Sequence, residues 1–248
     1  MSTFVLKMIA LCFMVIDHIG YYFEGTPMLL RMLGRISYPL FLFCMVWGYH
    51  YTRSRTKYLI RLYLMSVFMT LFGYAIDAHF ATTAGYGNHN IFLSMFLVGV
   101  CISTIELFKK APGKGFLAVG IMFAVQVLYY SLPNFLPFLR DMSGDTITGI
   151  IPNLALNEYG FEFVVLGVLM YYLKEKRELF CAMYTLFCLY QFSAEMLAGG
   201  MAIQCFMILA LPFMLRFNQQ KGPGMKYFFY IFYPVHTFLL FYLANFVF

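Results

Sequence analysis

The sequence predicts an all-α polytopic membrane protein with about nine or ten transmembrane helices and a cytoplasmic N-terminus. Of its 248 residues, 62% are hydrophobic and only 11% are charged, and the mean hydropathy of +0.76 is too high for a soluble domain. The apolar residues form stretches of roughly 20, the length that a helix needs to cross a bilayer core about 30 Å thick. The basic residues gather in alternate connections between these stretches, as they do in membrane proteins of defined orientation.

Nine apolar stretches are candidate spans, and short polar connections separate them. They cover about residues 4–23, 29–51, 58–77, 89–107, 115–131, 159–173, 179–197, 199–215 and 226–247,. Residues 132–158 contain several prolines and glycines, so we expect an irregular or re-entrant segment there, with a short tenth membrane element around residues 147–151,. No connection is long enough to separate domains, so residues 1–248 are predicted to form a single integral-membrane domain.

Basic residues follow the second, fourth, sixth and eighth spans, which places these connections on one side of the membrane. They are Arg53, Arg55, Lys57, Arg61, Lys109, Lys110, Lys114, Lys174, Lys176, Arg177, Arg216, Lys221 and Lys226. With Lys7 they make 14 of the 17 Lys and Arg residues, so this side is expected to be cytoplasmic and the C-terminus external. The net charge of +6 is therefore explained by orientation, which argues against a nucleic-acid-binding surface. The cysteines show no CxxC spacing, so we expect neither disulfides nor a metal site,.

The first span, KMIALCFMVIDHIG, carries three ionisable residues, Lys7, Asp17 and His18. Charges at membrane depth are costly unless they are paired or face a cavity, so they indicate a functional site. Eleven helical steps of about 100° come within about 20° of three full turns, so Lys7 and His18 share one face, about 16 Å apart along the axis. A cation at the entrance and an imidazole deeper on that face suit a long anionic ligand such as an acyl-coenzyme A. The simpler alternatives are a lysine that snorkels to the headgroups and a histidine that bonds to a neighbouring helix.

Arg35, in the segment LGRISYPLFLF of the second span, also needs a carboxylate or an anionic ligand,. Adjacent residues point about 100° apart on a helix, so Asp17 cannot be assumed to bond to His18 and is expected to find its partner on another helix. Arg35 is the best candidate for that partner. A purely structural ion pair is the alternative function of Arg35. Pro39 is expected to kink this span, and Gly34 to let two helices approach closely.

The last span contains FFYIFYPVHTFLL, in which His236 lies near mid-depth beside Tyr233 and Pro234. The proline removes one backbone hydrogen bond, which is tolerated where the helix is buried or lines a cavity. His236 is therefore a second polar focus, or alternatively a histidine that bonds between helices or fills the kink.

Polar residues also gather at the external ends of the spans, at Asp77, Asn90 and Glu158. Taken together they predict a polar mouth on the substrate side. Taken singly, each also suits an ordinary loop or helix cap, because Asn and Asp are frequent at helix N-termini.

Six segments together resemble the TraX family of membrane proteins, in the same order and spacing and over essentially the whole chain. They are KMIALCFMVIDHIG, LGRISYPLFLF, YTRSRTKYLIRL, NIFLSMFLVGV, EYGFEFVVLGVLMYYL and KYFFYIFYPVH. The plasmid-borne founder of that family acetylates the N-terminus of pilin. The family is distantly similar to the acyltransferase family 3 proteins, which move acyl groups from cytoplasmic donors to acceptors beyond the membrane. Their first-helix pattern of a basic residue, ten positions and a histidine matches Lys7 and His18, with Lys in place of the commoner Arg.

The resemblance implies an acyl-CoA-dependent acyltransferase, most simply an acetyltransferase. His18 would be the general base on an amine or hydroxyl acceptor, Asp17 and Arg35 would orient the site, and His236 with Tyr233 would complete it or bind the carbonyl.

On the donor side, Lys7, Arg53 and Arg61 would hold the phosphates of acyl-CoA, which is a co-substrate and not a permanently bound cofactor. The acceptor is a protein or peptide N-terminus, a glycan or a lipid, and the other expected partners are membrane lipids.

Two other functions fit the same charges. Intramembrane Asp, His and Arg are equally natural in a proton-coupled transporter, which would predict an inverted repeat and paired broken helices, whereas the sequence shows one clear broken span and no repeat. A membrane scaffold without catalytic activity is the third interpretation.

Overall fold

The computed structural model describes residues 1–80, 82, 85–136 and 144–248, except for the side chains of residues 144–146 and of Lys226. Within these residues the regular structure is entirely helical, as predicted. The helices are α1 Thr3–Tyr22, α2 Met28–Gly34, α3 Ser37–Tyr51, α4 Arg55–His79, α5 Ile91–Lys110, α6 Pro112–Phe135, α7 Gly144–Ile150, α8 Phe161–Leu173, α9 Arg177–Leu197, a 3₁₀ helix Gln204–Ala210, α10 Leu211–Leu215 and α11 Lys226–Phe246.

Six helical stretches of the described chain are long and apolar enough to cross a bilayer, which fits a multi-pass membrane protein. They are Thr3–Tyr22, Met28–Tyr51, Arg55–His79, Ile91–Lys110, Pro112–Phe135 and Tyr227–Phe246. The predicted count of nine or ten spans is not confirmed by these lengths. Helix α8 has only 13 residues, about 20 Å, and the predicted span 199–215 is divided between the 3₁₀ helix and α10. Helix α9 has 21 residues, but it carries three charges, at Arg177, Glu178 and Glu195.

The helices form two compact units. Met1–Gly48 and Leu169–Phe248 make up the first, here called the terminal unit, and Tyr49–Val168 make up the second, the central unit. The terminal unit contains the first and last helices, which carry Lys7, Asp17, His18, Tyr233 and His236.

Helices α1 and α11 pack side by side and run in the same direction. Lys7 lies over the ring of Phe229, His18 contacts His236, and the ring of Tyr22 meets that of Phe241 at 5.9 Å. Because both Lys7 and His18 contact α11, the prediction that they share one face of α1 is confirmed. Helix α11 continues through Pro234, which lies inside it.

The first residues of the chain are held by the connection that precedes α11. The backbone N–H groups of Thr3 and Phe4 donate to the carbonyls of Gln220 and Lys221 at 2.8 and 3.1 Å, and the N–H of Asn218 donates to the carbonyl of Met1 at 2.9 Å. The N-terminal amine donates to the carbonyl of Arg216. This pairing fixes the start of α1 and places Arg216 and Lys221 beside it. Residues 1–7, residues 216–221 and Phe229 form one end of the terminal unit, here called the Lys7 end.

The second predicted span is broken into two helices just before Pro39. Helix α2 ends at Gly34 and α3 begins at Ser37, so the turn lies at Arg35 and Ile36. In an uninterrupted helix the ring of Pro39 would clash with the Arg35 carbonyl, four residues earlier, and could not donate a hydrogen bond to it, so the turn lies where this proline is expected to disturb the span. At the turn, the Arg35 side chain pairs with Asp17 on α1.

The central unit is built on α4, α5, α6 and α7, with Asn90 at its polar centre. The Asn90 amide donates to Ser66 Oγ at 3.0 Å and to Thr70 Oγ1 at 3.1 Å on α4, while its carbonyl oxygen caps α5 by accepting from Leu93 N–H. Helix α7 lies where a short tenth element was expected, and it presses against α4: a Cβ on Gly149 would lie 1.6 Å from Thr70 Oγ1. Its position in a membrane stays a prediction, and residues 137–143 of the predicted re-entrant segment are outside the described chain.

Candidate active site

A carboxylate held by two guanidinium groups lies near the C-terminal end of α1. Asp17 Oδ1 accepts from Arg35 Nη2 at 2.7 Å and lies 2.8 Å from Arg31 Nη1, and Asp17 Oδ2 accepts from Arg35 Nη2 at 3.0 Å. The three side chains are between 16% and 23% exposed, so the attraction is stronger than in a surface ion pair. The predicted pairing of Asp17 with Arg35 is confirmed, and Arg31 is an addition to it.

The absence of a side chain at Gly34 allows this ion pair to form. A Cβ built on Gly34 would lie 2.2 Å from Asp17 Cβ and 2.3 Å from Asp17 Oδ1, both impossible contacts. Gly20, on α1, lets Leu30 and Arg31 approach in a similar way, at 3.0 and 3.1 Å from the position of an added Cβ. The expectation that Gly34 permits a close helix approach is therefore confirmed.

Arg35 also connects α2 to the 3₁₀ helix. Its Nε donates to the Arg31 carbonyl at 3.2 Å and its Nη1 donates to Gln204 Oε1 at 3.3 Å. The backbone N–H of Gln204 donates in turn to Glu195 Oε2 at 2.8 Å. The cluster thus contains two acidic and two basic side chains, and it joins α1, α2, α9 and the 3₁₀ helix at one end of the terminal unit.

The imidazole of His18 lies against the imidazole of His236. The His18 Nδ1 and His236 Nε2 atoms are 2.8 Å apart, and the ring centroids are 4.9 Å apart with an interplanar angle of 29°. His18 is 8% exposed and His236 is 6% exposed. A hydrogen bond between two buried imidazoles needs one ring to donate and the other to accept, so the two protonation states are coupled.

Aromatic rings hold His236 in place. The Phe232 ring stacks on it at 4.9 Å and 14°, and the Tyr233 ring meets it edge-on at 5.7 Å. The His236 Nδ1 atom lies 2.8 Å from the Phe232 carbonyl oxygen, one turn earlier in α11. Tyr233 is thus next to the imidazole pair and 6% exposed, while its predicted catalytic role stays a prediction.

Lys7 lies at the other end of the same α1 face. Its Nζ is 5.3 Å from the centroid of the Phe229 ring on α11, a cation–π distance,. Lys174, at the same end, lies over the rings of Tyr171 at 4.4 Å and Trp47 at 6.0 Å. The contact between α1 and α11 therefore has Lys7 and the Phe229 ring at one end, and the buried His18–His236 pair lies further along the same two helices.

The two predicted donor-binding arginines of the central unit differ in environment. Arg53 is exposed. Arg61 lies over the Tyr58 ring at 5.8 Å, and its Nε atom is buried without a hydrogen-bond partner among the described residues. A buried guanidinium N–H without an acceptor is costly, so Arg61 is the better placed of the two to bind an anion.

The three residues of the predicted polar mouth each stabilise backbone in the central unit. Asp77 Oδ1 accepts from Tyr86 N–H at 2.7 Å, and Glu158 Oε2 accepts from Asn90 N–H at 2.6 Å. Asn90 itself is 4% exposed. These bonds are those of loop and cap residues, the alternative considered for each, and a further role at a substrate-side mouth stays a prediction.

Two contacts of the site were not predicted from the sequence. Arg31 was missed, although it precedes Arg35 by four residues and so lies on the same helical face. The His18–His236 contact joins residues 218 positions apart, and no local signal encodes it.

The chain was compared with known proteins. The family described as TraX protein matches residues 2–133 and 146–244. A probable fimbrial assembly protein (FimC, serogroup H1) of Dichelobacter nodosus is 27% identical over 253 residues, which cover 96% of this chain and 94% of that protein. An uncharacterised protein of Rickettsia prowazekii (strain Madrid E) is 29% identical over 135 residues, which cover 52% of this chain and 48% of that protein. No solved structure matches the chain significantly. Because the family match covers nearly the whole chain, the protein belongs to the TraX family.

Proposed function

We propose that the protein is a membrane-embedded acyl-CoA-dependent acyltransferase, most simply an acetyltransferase. It would transfer the acyl group from a cytoplasmic donor to an amine or hydroxyl at or beyond the membrane. The observation that carries the proposal is the buried His18–His236 pair, which lies on the same face of α1 as Lys7. A cation and a titratable base separated by about 16 Å along one helix suit a donor with phosphates at one end and a thioester at the other.

In the proposed reaction, His18 accepts the proton of the acceptor amine or hydroxyl as that group attacks the thioester carbonyl. A bond from the acceptor to the acyl carbon forms, and the carbon–sulfur bond breaks. Coenzyme A leaves as a thiolate and takes the proton back from His18. General base catalysis of this kind contributes about 10²- to 10⁴-fold in rate.

We propose direct transfer rather than an acyl-enzyme, because the sequence shows no activated serine or cysteine nucleophile,. Asp17, Arg31 and Arg35 would act by holding α1 against α2, so that His18 keeps its position beside α11. Tyr233, beside the imidazole pair, is the proposed partner of the thioester carbonyl.

The donor is proposed to enter from the Lys7 end, which would face the cytoplasm in a bacterial inner membrane. The support is the concentration of basic residues in alternate connections of the chain,. Lys7 is the proposed phosphate ligand of the terminal unit. The donor-binding roles of Arg53 and Arg61, which belong to the central unit, stay predictions. The lysine ammonium group is a point charge and lacks the planar, two-donor geometry of an arginine guanidinium. Lys7 would therefore attract a phosphate without fixing the orientation of that phosphate.

The acceptor is proposed to belong to a fimbrial or pilus pathway. The Dichelobacter nodosus relative is named a probable fimbrial assembly protein, and the founder of the TraX family acetylates a pilin N-terminus. A protein N-terminus is therefore the first acceptor to test, with peptide, glycan and lipid acceptors after it.

The test is acyl transfer by purified protein in lipid nanodiscs, supplied with radiolabelled acetyl-CoA and a panel of amine and hydroxyl acceptors. We expect transfer by the wild type and its loss in His18→Ala. His79→Ala is the matched control, because His79 is exposed on α4 and its Nδ1 bonds to the Ala75 carbonyl, one turn earlier in the same helix. Wild-type rates in His18→Ala would contradict the proposal.

A proton-coupled transporter is the second candidate, and one observation favours it. Arg35, at the break between α2 and α3, bonds to Gln204, the first residue of the 3₁₀ helix. Two interrupted helical segments that meet at a polar cluster are typical of carrier sites. A thermal-shift measurement separates the two functions: an acyltransferase is stabilised by acetyl-CoA and not by acetate, whereas a carrier without an acyl-CoA site is not stabilised by acetyl-CoA.

A further inference from the structure

We propose that His236 is a positioning residue that holds His18 in the tautomer with its proton on Nδ1, so that Nε2 is the atom that acts as the base. This inference rests on the proposed acyltransferase function. It goes beyond that function by assigning the reacting atom of His18 and by giving His236 a role in which it does not touch substrate.

The proton positions follow from the Phe232 carbonyl, which can only accept a hydrogen bond. Its oxygen lies 2.8 Å from His236 Nδ1, so His236 Nδ1 carries a proton and donates it. The stacked Phe232 ring keeps the imidazole in this orientation. In neutral His236 the lone pair is therefore on Nε2.

The same reasoning continues to His18. Nε2 of His236 lies 2.8 Å from Nδ1 of His18, and as an acceptor it requires His18 Nδ1 to donate. A neutral imidazole has only one N–H, so the lone pair of His18 is on Nε2. In water, neutral histidine favours the opposite tautomer, with the proton on Nε2. The contact with His236 therefore selects the less common form.

The pair can accept one proton without rearrangement. A proton that arrives at His18 Nε2 leaves both hydrogen bonds intact, because His18 Nδ1 still donates to His236 and His236 Nδ1 still donates to Phe232. A second proton, on His236 Nε2, would place two N–H donors 2.8 Å apart and remove the hydrogen bond between the rings. It would also put two positively charged rings with their centroids 4.9 Å apart, where they repel each other,. The arrangement thus makes His18 the proton acceptor and keeps His236 neutral.

Two variants of His236 separate positioning from packing. In His236→Leu the acceptor for His18 Nδ1–H is removed while an apolar side chain fills much of the volume. In His236→Gln an amide oxygen can still accept that bond. Thr237→Val is the matched control, because the Thr237 hydroxyl bonds to the Tyr233 and Pro234 carbonyls in the same turn of α11.

The first readout is ¹⁵N nuclear magnetic resonance of histidine-labelled protein in nanodiscs, with signals assigned by deleting each of the five histidines in turn. We expect the wild type and Thr237→Val to show His18 protonated on Nδ1 and unprotonated on Nε2. In His236→Leu, His18 should shift toward the Nε2–H tautomer, and His236→Gln should restore the wild-type state. A wild-type His18 protonated on Nε2, or a tautomer that His236→Leu leaves unchanged, would overturn the proposal.

The second readout is the split between kcat and KM. We expect His236→Leu to lower kcat about 10²-fold, with the KM for acetyl-CoA changed less than twofold and part of the loss recovered in His236→Gln. An unchanged kcat, or a loss that appears only in KM, would contradict a positioning role. If the wild type transfers no acyl group, the proposed function fails, while the tautomer measurement still decides whether His236 controls the protonation of His18.

Discussion

A β-carbon on Gly34 would lie 2.2 Å from the β-carbon of Asp17. Helices α1 and α2 can therefore approach this closely only because Gly34 has no side chain. The Asp17 side chain occupies the space that a side chain at residue 34 would need.

Gly34→Ala should destabilise the terminal unit by about 1–3 kcal/mol, the usual cost of forcing extra volume into a packed contact. The expected result is a lower Tm in nanodiscs and a loss of acyl transfer. Gly120→Ala is the control, because a Cβ there meets no atom of the described residues within 4 Å, and replacing an exposed glycine inside a helix by alanine raises the stability of that helix. Equal Tm values for the two variants would show that Gly34 has no special role.

Asp17→Asn should destabilise the protein by about 2 kcal/mol, less than for a fully buried pair because the side chains are partly exposed. It leaves the guanidiniums of Arg31 and Arg35 close together without their shared carboxylate. The double variant Asp17→Asn/Arg31→Gln should recover part of the loss, because the repulsion between the two cations is removed. Equilibrium unfolding of the two single variants and the double variant measures this coupling, and strictly additive effects would contradict it.

Lys7→Met should raise the KM for acetyl-CoA about 10-fold, which equals about 1.4 kcal/mol, without changing kcat. With acetyl-pantetheine, a thioester donor that lacks the nucleotide phosphates, the wild type and Lys7→Met should have the same KM. Lys7→Arg should retain the wild-type KM for acetyl-CoA, because it keeps the charge. If Lys7 only snorkels to the headgroups, the variant will affect both donors equally.

The orientation of the chain can be tested with single cysteines in a background without the native ones. A cysteine at Ala111, between α5 and α6, should react with a membrane-impermeant maleimide in inverted inner-membrane vesicles and not in spheroplasts. A cysteine at Gly200, after α9, should show the opposite pattern. The same labelling side for both residues would contradict the predicted topology.

The sequence was informative where a property depends on one helix or on the cost of burying charge. The shared face of Lys7 and His18 follows from helical geometry alone, and the pairing of Asp17 with Arg35 follows because neither charge is tolerated by itself at that depth. Arg31 was within reach of the same argument, as it lies one turn before Arg35.

Other features depend on tertiary structure and could not be read locally. The contact between His18 and His236 requires α1 and α11 to pack in parallel, which no local pattern specifies. Pro39 predicts a kink in the second span, but it does not predict that the span divides into two helices at Arg35 and Ile36. The predicted span 199–215 is not one long α-helix, since its middle part forms the 3₁₀ helix Gln204–Ala210, and Gln204 of this helix bonds to Arg35.

The hydrogen bonds between the first residues and the connection before α11 bear on how the protein is best handled. An affinity tag fused ahead of Met1 would turn the amine that donates to the Arg216 carbonyl into an amide, and it would leave the protein beside the hydrogen bond between Asn218 and Met1, close to the start of the helix that carries Lys7. The C-terminal Phe248 is 89% exposed and offers a better point of attachment. Kinetic constants of an N-terminal fusion are therefore best compared with those of a C-terminal one.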